Sequence, residues 1–189
     1  KSHKGYVANL TETCDPDNDL QLITTVQVAA NCVDDTQLME EALPNLKERT
    51  DLDTLYTDGG YGSPSADQAM QDNQVEQIQT AIRGRIPSTG KLNLSNFEIK
   101  QTENGKPTQI TCPQEQTVAV QQSSQKKGFV AHFEAEICQT CPLLQKCPAQ
   151  RGKRDTRWHL RFSQEQANVS RRRRRSLAQQ EEGRNLRAA

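Results

Sequence analysis

Aromatic side chains are scarce in this chain, 4% of residues, and apolar residues reach only 33%. That is thin for a self-sufficient core across 189 residues, a length that suits one ordinary domain plus an appendage. No run of about 18 apolar residues occurs, so no membrane-spanning helix is expected and no membrane partner is called for. The first residues, KSHKGYVANL, hold no apolar signal-peptide core. A cytoplasmic, bacterial protein is the expectation. There is no initial Met, and Arg187-Ala188-Ala189 carries no stop signal. The chain therefore reads as a fragment of a longer protein. It has no internal repeats.

The formal net charge is zero, but charge is unevenly spread. Residues 151–189 hold 12 Lys and Arg against 4 Asp and Glu, net +8, which leaves residues 1–150 at net −8. A basic tail on an acidic body fits either a polyanionic partner or a solvated tail. The six cysteines are Cys14, Cys32, Cys112, Cys138, Cys141 and Cys147. Without a secretory signal, metal ligands or free thiols are favoured over disulfides.

Along the chain, 5–13 and 20–30 read as two strands of a long hairpin around a turn-rich segment, Cys14 to Asp19. Asp35 or Thr36 could cap a helix carrying Leu38, Met39, Ala42, Leu43 and Leu46 at helical spacing, although Pro44 falls in its middle. A short strand, 52–57, ends at Asp58. Ser63 as N-cap and Pro64 as first residue predict a helix to about Asn73. VEQIQTAI, 75–82, is a further strand that alternates imperfectly. The order is β-β-α-β-α-β. From about Arg83 the texture changes to Gly, Pro, Ser, Asn and Gln. FEIK (97–100) and QITC (109–112) flank one turn, and TVAVQ (117–121) and FVAHFE (129–134) flank another, SSQKKG. Residues 84–160 read as an inserted small β module. From Ser163 the sequence turns helical to about Glu182.

Within that module the cysteines are spaced Cys112-x25-Cys138-x2-Cys141-x5-Cys147. A C-x2-C knuckle presents two thiolates as a tetrahedral zinc requires; Cys112, at a strand end before Pro113, could be the third ligand and Cys147, also before a proline, the fourth. A hydrophilic module with few large apolar groups needs a staple, and metal is a standard one. Buried free cysteines are the alternative, and an iron–sulfur cluster a further one. His132 and His159 are spare ligands or ordinary polar side chains. Cys14 and Cys32 receive no function.

Arg171, Arg172, Arg173, Arg174 and Arg175 are consecutive. In a helix they would turn through about 100° per step and present arginine on every face. The expectation is a helix exposed all round, or no helix. No acid lies three or four residues from any of the five. Guanidinium groups at this density suit phosphates; a solvated charged helix is the bland alternative.

In LYTDGGYGS, residues 55–63, a strand ends in one carboxylate, Asp58, followed by glycines. An acid at the C-terminal end of such a strand suits metal binding at the edge of an α/β sheet, and glycines let a backbone come close. Phosphodiester chemistry often uses two divalent ions, Mg²⁺ or Mn²⁺, held by several acids. A turn or capping aspartate is the plain alternative.

TETCD (11–15), YTDGGYGS (56–63) and the module Phe133…Cys138-x2-Cys141-Pro142-Leu143…Cys147, in this order, resemble the C-terminal half of bacterial insertion-sequence transposases of the DDE class. The resemblance covers nearly the whole chain. It implies an α/β, ribonuclease-H-like mixed sheet, incomplete at both ends, with an inserted Cys-rich β module. Residues 1–83 would be the partial catalytic core, 84–160 the zinc-binding insertion and 161–189 the start of the returning helical region. Asp58 alone carries over as a catalytic acid, with Gly60 and Tyr61 matching the Gly-Tyr of that motif. The first Asp would lie upstream of Lys1 and the Glu beyond Ala189; Glu181 and Glu182 qualify by position only. Asp34 and Asp35 would lie near the sheet's edge, where they could simply cap the helix. The resemblance implies metal-dependent cleavage and transfer of DNA strands, with terminal inverted repeats and target DNA as partners, and allows a homodimer in the intact protein. As a fragment, the chain would bind DNA without cutting it. Two rivals are a zinc-stabilised DNA-binding remnant and a methyltransferase, since D-G-G-Y-G resembles a cofactor-binding loop. The methyltransferase needs an acid after the next strand, where Ile82-Arg83 stands.

Overall fold

The computed structural model describes residues 4–15, 18–82, 88–123, 128–153 and 156–181. The chain divides into two compact units: Lys1–Arg83 with Ser176–Ala189, and Gly84–Arg175.

In the first unit, β1 (Tyr6–Glu12) pairs antiparallel with β2 (Ile23–Ala30), in register from Tyr6↔Ala30 to Glu12↔Ile23 with one irregularity at Thr11/Glu12. The helix α1 (Asp35–Arg49) follows, capped by the Asp34 carboxylate on the Thr36 N–H. Its buried positions are Thr36, Leu38, Met39, Ala42, Leu43 and Leu46. Pro44 does not end it. The residue is exposed, so the carbonyl that proline leaves unbonded one turn back lies on a side that water can reach. The strand β3 (Thr54–Thr57), the helix α2 (Pro64–Asp72) and the strand β4 (Glu76–Gln79) form a β-α-β unit, with β3 and β4 parallel. Ser63 caps α2 through its side chain on the Ala66 N–H, and Pro64 supplies the first residue, which has no use for an amide proton. The core joins Met39 and Leu43 of α1 to Ala66, Met70 and Val75.

The hairpin reverses the usual polarity of a sheet face. Tyr6, Leu10, Ile23, Val26 and Val28 are exposed, while Asn9 and Gln27 are half-buried. Gln27 donates to the Leu38 carbonyl at 2.8 Å and Asn9 accepts from the Tyr61 hydroxyl at 3.0 Å. The apolar side of β1–β2 thus lies uncovered among the described residues.

The second unit is built on a six-stranded antiparallel sheet, in the order β5-β6-β7-β8-β10-β9. Its strands are β5 (Glu98–Gln101), β6 (Pro107–Thr111), β7 (Thr117–Gln122), β8 (Phe129–Phe133), β9 (Gln150–Arg151) and β10 (Trp158–Phe162). The four strands read in the sequence are present as paired hairpins. Pairing of β6 with β7 joins the two hairpins into one continuous sheet, and two strands that were not read, β10 and β9, extend it beyond β8. The expected turn SSQKKG falls partly outside the described residues. The core collects Phe97, Ile110, Ala131, Phe133, Ala149, Leu160, Phe162 and Ala167. A short helix, α3 (Ala135–Gln139), follows β8. The last helix, α4 (Gln164–Glu181), begins with a reciprocal cap: the Gln166 N–H donates to Ser163 Oγ and the Ser163 N–H to Gln166 Oε1. Mixed α/β architecture is therefore established, and the larger sheet is wholly antiparallel.

Candidate functional site

Asp58 stands directly after β3 and caps a single 3₁₀ turn, Gly59–Tyr61. Its side chain is exposed and accepts the Gly60 N–H at 2.5 Å. The start of α1 approaches the same turn, since Thr36 Oγ1 donates to the Gly60 carbonyl at 3.4 Å. Tyr61 registers the charge gathered here: its phenol pKa is raised by burial first, then by the negative fields of Asp35 and Asp58. Asp35 and Asp58, from α1 and the end of β3, thus face one phenol. Asp34 is the helix cap. Asp35 sits in the first turn of α1; the sequence reading put it near the sheet's edge, and its field reaches Tyr61 in the Asp58 turn.

The glycine reading needs correction at one of its three positions, Gly62. The sequence suggested room left for a DNA backbone. At Gly62 the space is already taken: a Cβ there would lie 2.7 Å from Gln79 Nε2. Gln79 is a buried β4 side chain that reaches back to the Asp58 carbonyl at 3.4 Å. A neighbouring polar residue, Gln77, donates to Thr57 Oγ1 and the Tyr61 carbonyl at 3.1 and 3.0 Å. Buried glutamines that hold the Asp58 turn explain why apolar alternation in 75–82 is imperfect.

The shared field is testable. Asp58→Asn and Asp35→Asn are each expected to lower the Tyr61 transition in an absorbance-monitored alkaline titration, Asp35→Asn more, and Tyr61→Phe to delete it. Because the folded phenol holds its proton more tightly, stability is unaffected below about pH 10 and falls above it, where the unfolded tyrosine ionises first. Tyr61→Phe should soften that alkaline loss and, by removing the bond to Asn9, cost about 1 kcal/mol at neutral pH. An unmoved transition in both carboxylate variants would show that the three groups do not share a field.

In the second unit the four clustered cysteines come together. Cys112 follows β6 and opens the turn to β7, with its carbonyl accepting the Glu115 N–H and its own N–H bonded to the Gln116 carbonyl, both at 2.9 Å. Cys138 lies in α3. From there the backbone steps by threes: Cys141 N–H to the Cys138 carbonyl, Leu144 to Cys141 and Cys147 to Leu144, at 3.2, 3.1 and 3.1 Å. Side chains three residues apart in such turns fall on the same side. All four cysteines line one cavity of about 30 Å³, with Leu92, Phe97, Phe133 and Trp158 among its apolar walls. Burial pushes the Cys138 thiol up to about 11, helped by the nearby charges of Cys147, Cys112, Cys141 and Glu134. Cys147 is raised by burial and by Cys141 and Cys112, against the lowering effect of its Ala149 backbone hydrogen bond. None of the six cysteines is in a disulfide. His132 and His159, directly opposite on β8 and β10, meet edge to face at 74° with ring centres 4.5 Å apart and do not line the cavity.

The arginine run is helical and is not exposed all round. Arg172 is only 6% exposed, and Arg171 Nη1 donates to Gln101 Oε1 at 2.9 Å. Arg173 and Arg175 are half-buried, whereas Arg174 is exposed. The small side chains Ala167, Ser170 and Ser176 are buried on the same helix. A long aliphatic stem lets arginine cover a surface that its charge alone would forbid, which spacing of charges does not reveal.

Among the described residues, no group of three or more His, Cys, Asp or Glu side chains stands ready to hold a metal ion. No helix among them is long and apolar enough to cross a membrane. No curated protein matches the chain, and no solved structure does. Residues 111–189, less than half of the chain, hold the clustered cysteines and the arginine run but not Asp58; they match the family model of the transposase DDE domain, and this match supports a DDE-type transposase.

Proposed function

We propose that this chain is part of a transposase that cleaves and joins DNA strands during movement of an insertion sequence, with Asp58 as one of its catalytic acids. The observation that carries the reading is the place of Asp58: an exposed carboxylate at the C-terminal end of a strand in a parallel β-α-β unit, in a chain whose residues 111–189 match the transposase DDE domain. Crevices beyond the carboxyl ends of parallel strands are where α/β sheets place their ligands. An antiparallel pair followed by a parallel pair also suits the mixed sheet of a ribonuclease-H-like core. The uncovered apolar side of β1–β2 suits a sheet with a further covering layer.

The carboxylate offers oxygen, the donor that Mg²⁺ or Mn²⁺ takes, and retains acceptor capacity beyond its bond to Gly60. Such ions, when bound, neutralise charge on the attacking and leaving oxygens of a phosphodiester. The protein's own part at this turn is to hold Asp58 in place through Gly60 and Gln79, with Asp35 adding negative charge beside it. Arg174, the exposed arginine of the run, is positioned to meet a phosphate, an interaction that fixes register and does not read bases. Arg171 and Arg172 act inside the fold as supports.

With one acid of the required set on its strand end, the 189-residue chain is expected to bind duplex DNA and leave it intact. Fluorescence anisotropy on a labelled duplex should show affinity that falls with salt. Arg174→Ala should weaken binding evenly across sequences and reduce the salt slope by about one. Supercoiled plasmid with Mg²⁺ or Mn²⁺ should stay uncut. Salt-insensitive binding, or none, sinks the DNA reading. Nicking that Asp58→Ala abolishes would prove the chain catalytically complete.

A second reading, a DNA-binding module without catalysis, draws on the span of the family match, which includes the cysteines and arginines and leaves out Asp58. Strand cleavage by the protein extended through its neighbouring reading frame separates the two.

A further inference from the structure

We infer that Cys112, Cys138, Cys141 and Cys147 are the complete ligand set of one structural zinc ion, which ties the β6–β7 turn to the segment after β8. This inference stands independently of the transposase reading.

Topology makes the meeting place. Thr111 of β6 lies opposite Thr117 of β7, and Val120 of β7 opposite Ala131 of β8. The end of β6, the start of β7 and the end of β8 therefore share one end of the sheet. Trp158, at the start of β10, lies opposite Phe133 at that same end. Cys112 arrives from the β6–β7 turn, while the steps by threes carry Cys138, Cys141 and Cys147 to it from the chain after β8. Residues 26 positions apart in sequence thus line one cavity.

Size and chemistry select the occupant. A space of about 30 Å³ suits a single ion and is far below the several hundred cubic ångströms that an organic ligand needs. Four soft thiolates choose zinc over the oxygen-seeking Mg²⁺ or Ca²⁺. Four protein ligands close the tetrahedron, so the ion has no open position and does structural work. Among the described residues the four side chains do not stand ready as a metal group, so binding requires the thiols to draw inward. Trp158 Nε1 is buried with no hydrogen-bond acceptor among the described residues, and a metal-bound thiolate is the kind of acceptor that an adjoining N–H supports.

The test uses the full chain, purified reduced and analysed for metal, then stripped and titrated with Zn²⁺ or Co²⁺. One zinc per chain is expected. Co²⁺ should give the intense thiolate charge-transfer bands of a tetrahedral four-sulfur site, saturating at one equivalent. Trp158, the only tryptophan, should lose fluorescence in step with that spectrum. The paired substitutions Cys138→Ser and Cys141→Ser should abolish uptake, and Cys14→Ser with Cys32→Ser should leave it whole. Should the first pair fail to fold, the wild-type Co²⁺ titration still decides. Absent uptake by reduced protein overturns the inference, as do an octahedral cobalt spectrum, equal loss in the Cys14/Cys32 variant, or unquenched Trp158.

Discussion

Truncation of Phe133 to alanine is expected to remove about 3–5 kcal/mol from the stability of the second unit. Phe133 is 2% exposed, on a β8 strand flanked on both sides by others. Its ring centre lies 6.2 Å from that of Phe97, tilted at 56°, a favourable aromatic arrangement. Strands bonded on both sides cannot close around a missing ring without breaking register, so most of the cavity term should persist. Trp158, opposite Phe133, supplies the signal for urea unfolding. With a slope of about 1–3 kcal/mol per molar urea, the midpoint should fall by about 1 M or more. Phe133→Leu, which keeps most of the buried volume, should lose less than the alanine variant. A loss below about 1 kcal/mol in the alanine variant would show that the cysteine-lined cavity, which Phe133 also walls, collapses freely and does not hold a defined shape.

Local signals were readable where they depend on neighbours in sequence. Ser63-Pro64 marks the start of α2 because one side chain and one fixed dihedral suffice. The α1 apolar spacing likewise outweighs Pro44, since packing of Leu38, Met39, Leu43 and Leu46 dominates one lost hydrogen bond. The transposase resemblance was legible from motifs, and the family match over 111–189 supports it. The mixed α/β class was also legible. The continuous sheet was not, because β10 pairs with β8 across more than twenty residues and β9 is only two residues long. Nor was the fate of the arginines. Burial of Arg172 is decided by what packs over the helix, and five identical side chains carry no pattern that distinguishes one from another. At the candidate site the carboxylate was readable and its surroundings were not: the Asp35 field at Tyr61 and the amides of Gln77 and Gln79 come from other elements.

Gly62→Ala tests those surroundings, and is expected to cost about 1–3 kcal/mol in the first unit by overpacking. The backbone there is ordinary extended chain, φ −101° and ψ 104°, so the glycine is required by space and not by conformation. An added methyl would stand 2.7 Å from the Gln79 amide nitrogen. That amide belongs to a side chain 1% exposed, with little freedom to yield. Its displacement should release the Asp58 carbonyl and loosen the β3–β4 pairing, seen as faster hydrogen exchange at the Thr80 N–H, which bonds the Thr57 carbonyl at 2.9 Å. Shortening Gln79 supplies the control. In the Gly62→Ala, Gln79→Ala double variant the clash is gone, so the two costs should fall short of additivity by about 1 kcal/mol or more. Strict additivity would mean that Gln79 does not occupy the space beside Gly62. The turn would then be held by the Asp58–Gly60 bond, Gln77 and Thr36, and Gly62 would regain the open space that the sequence suggested.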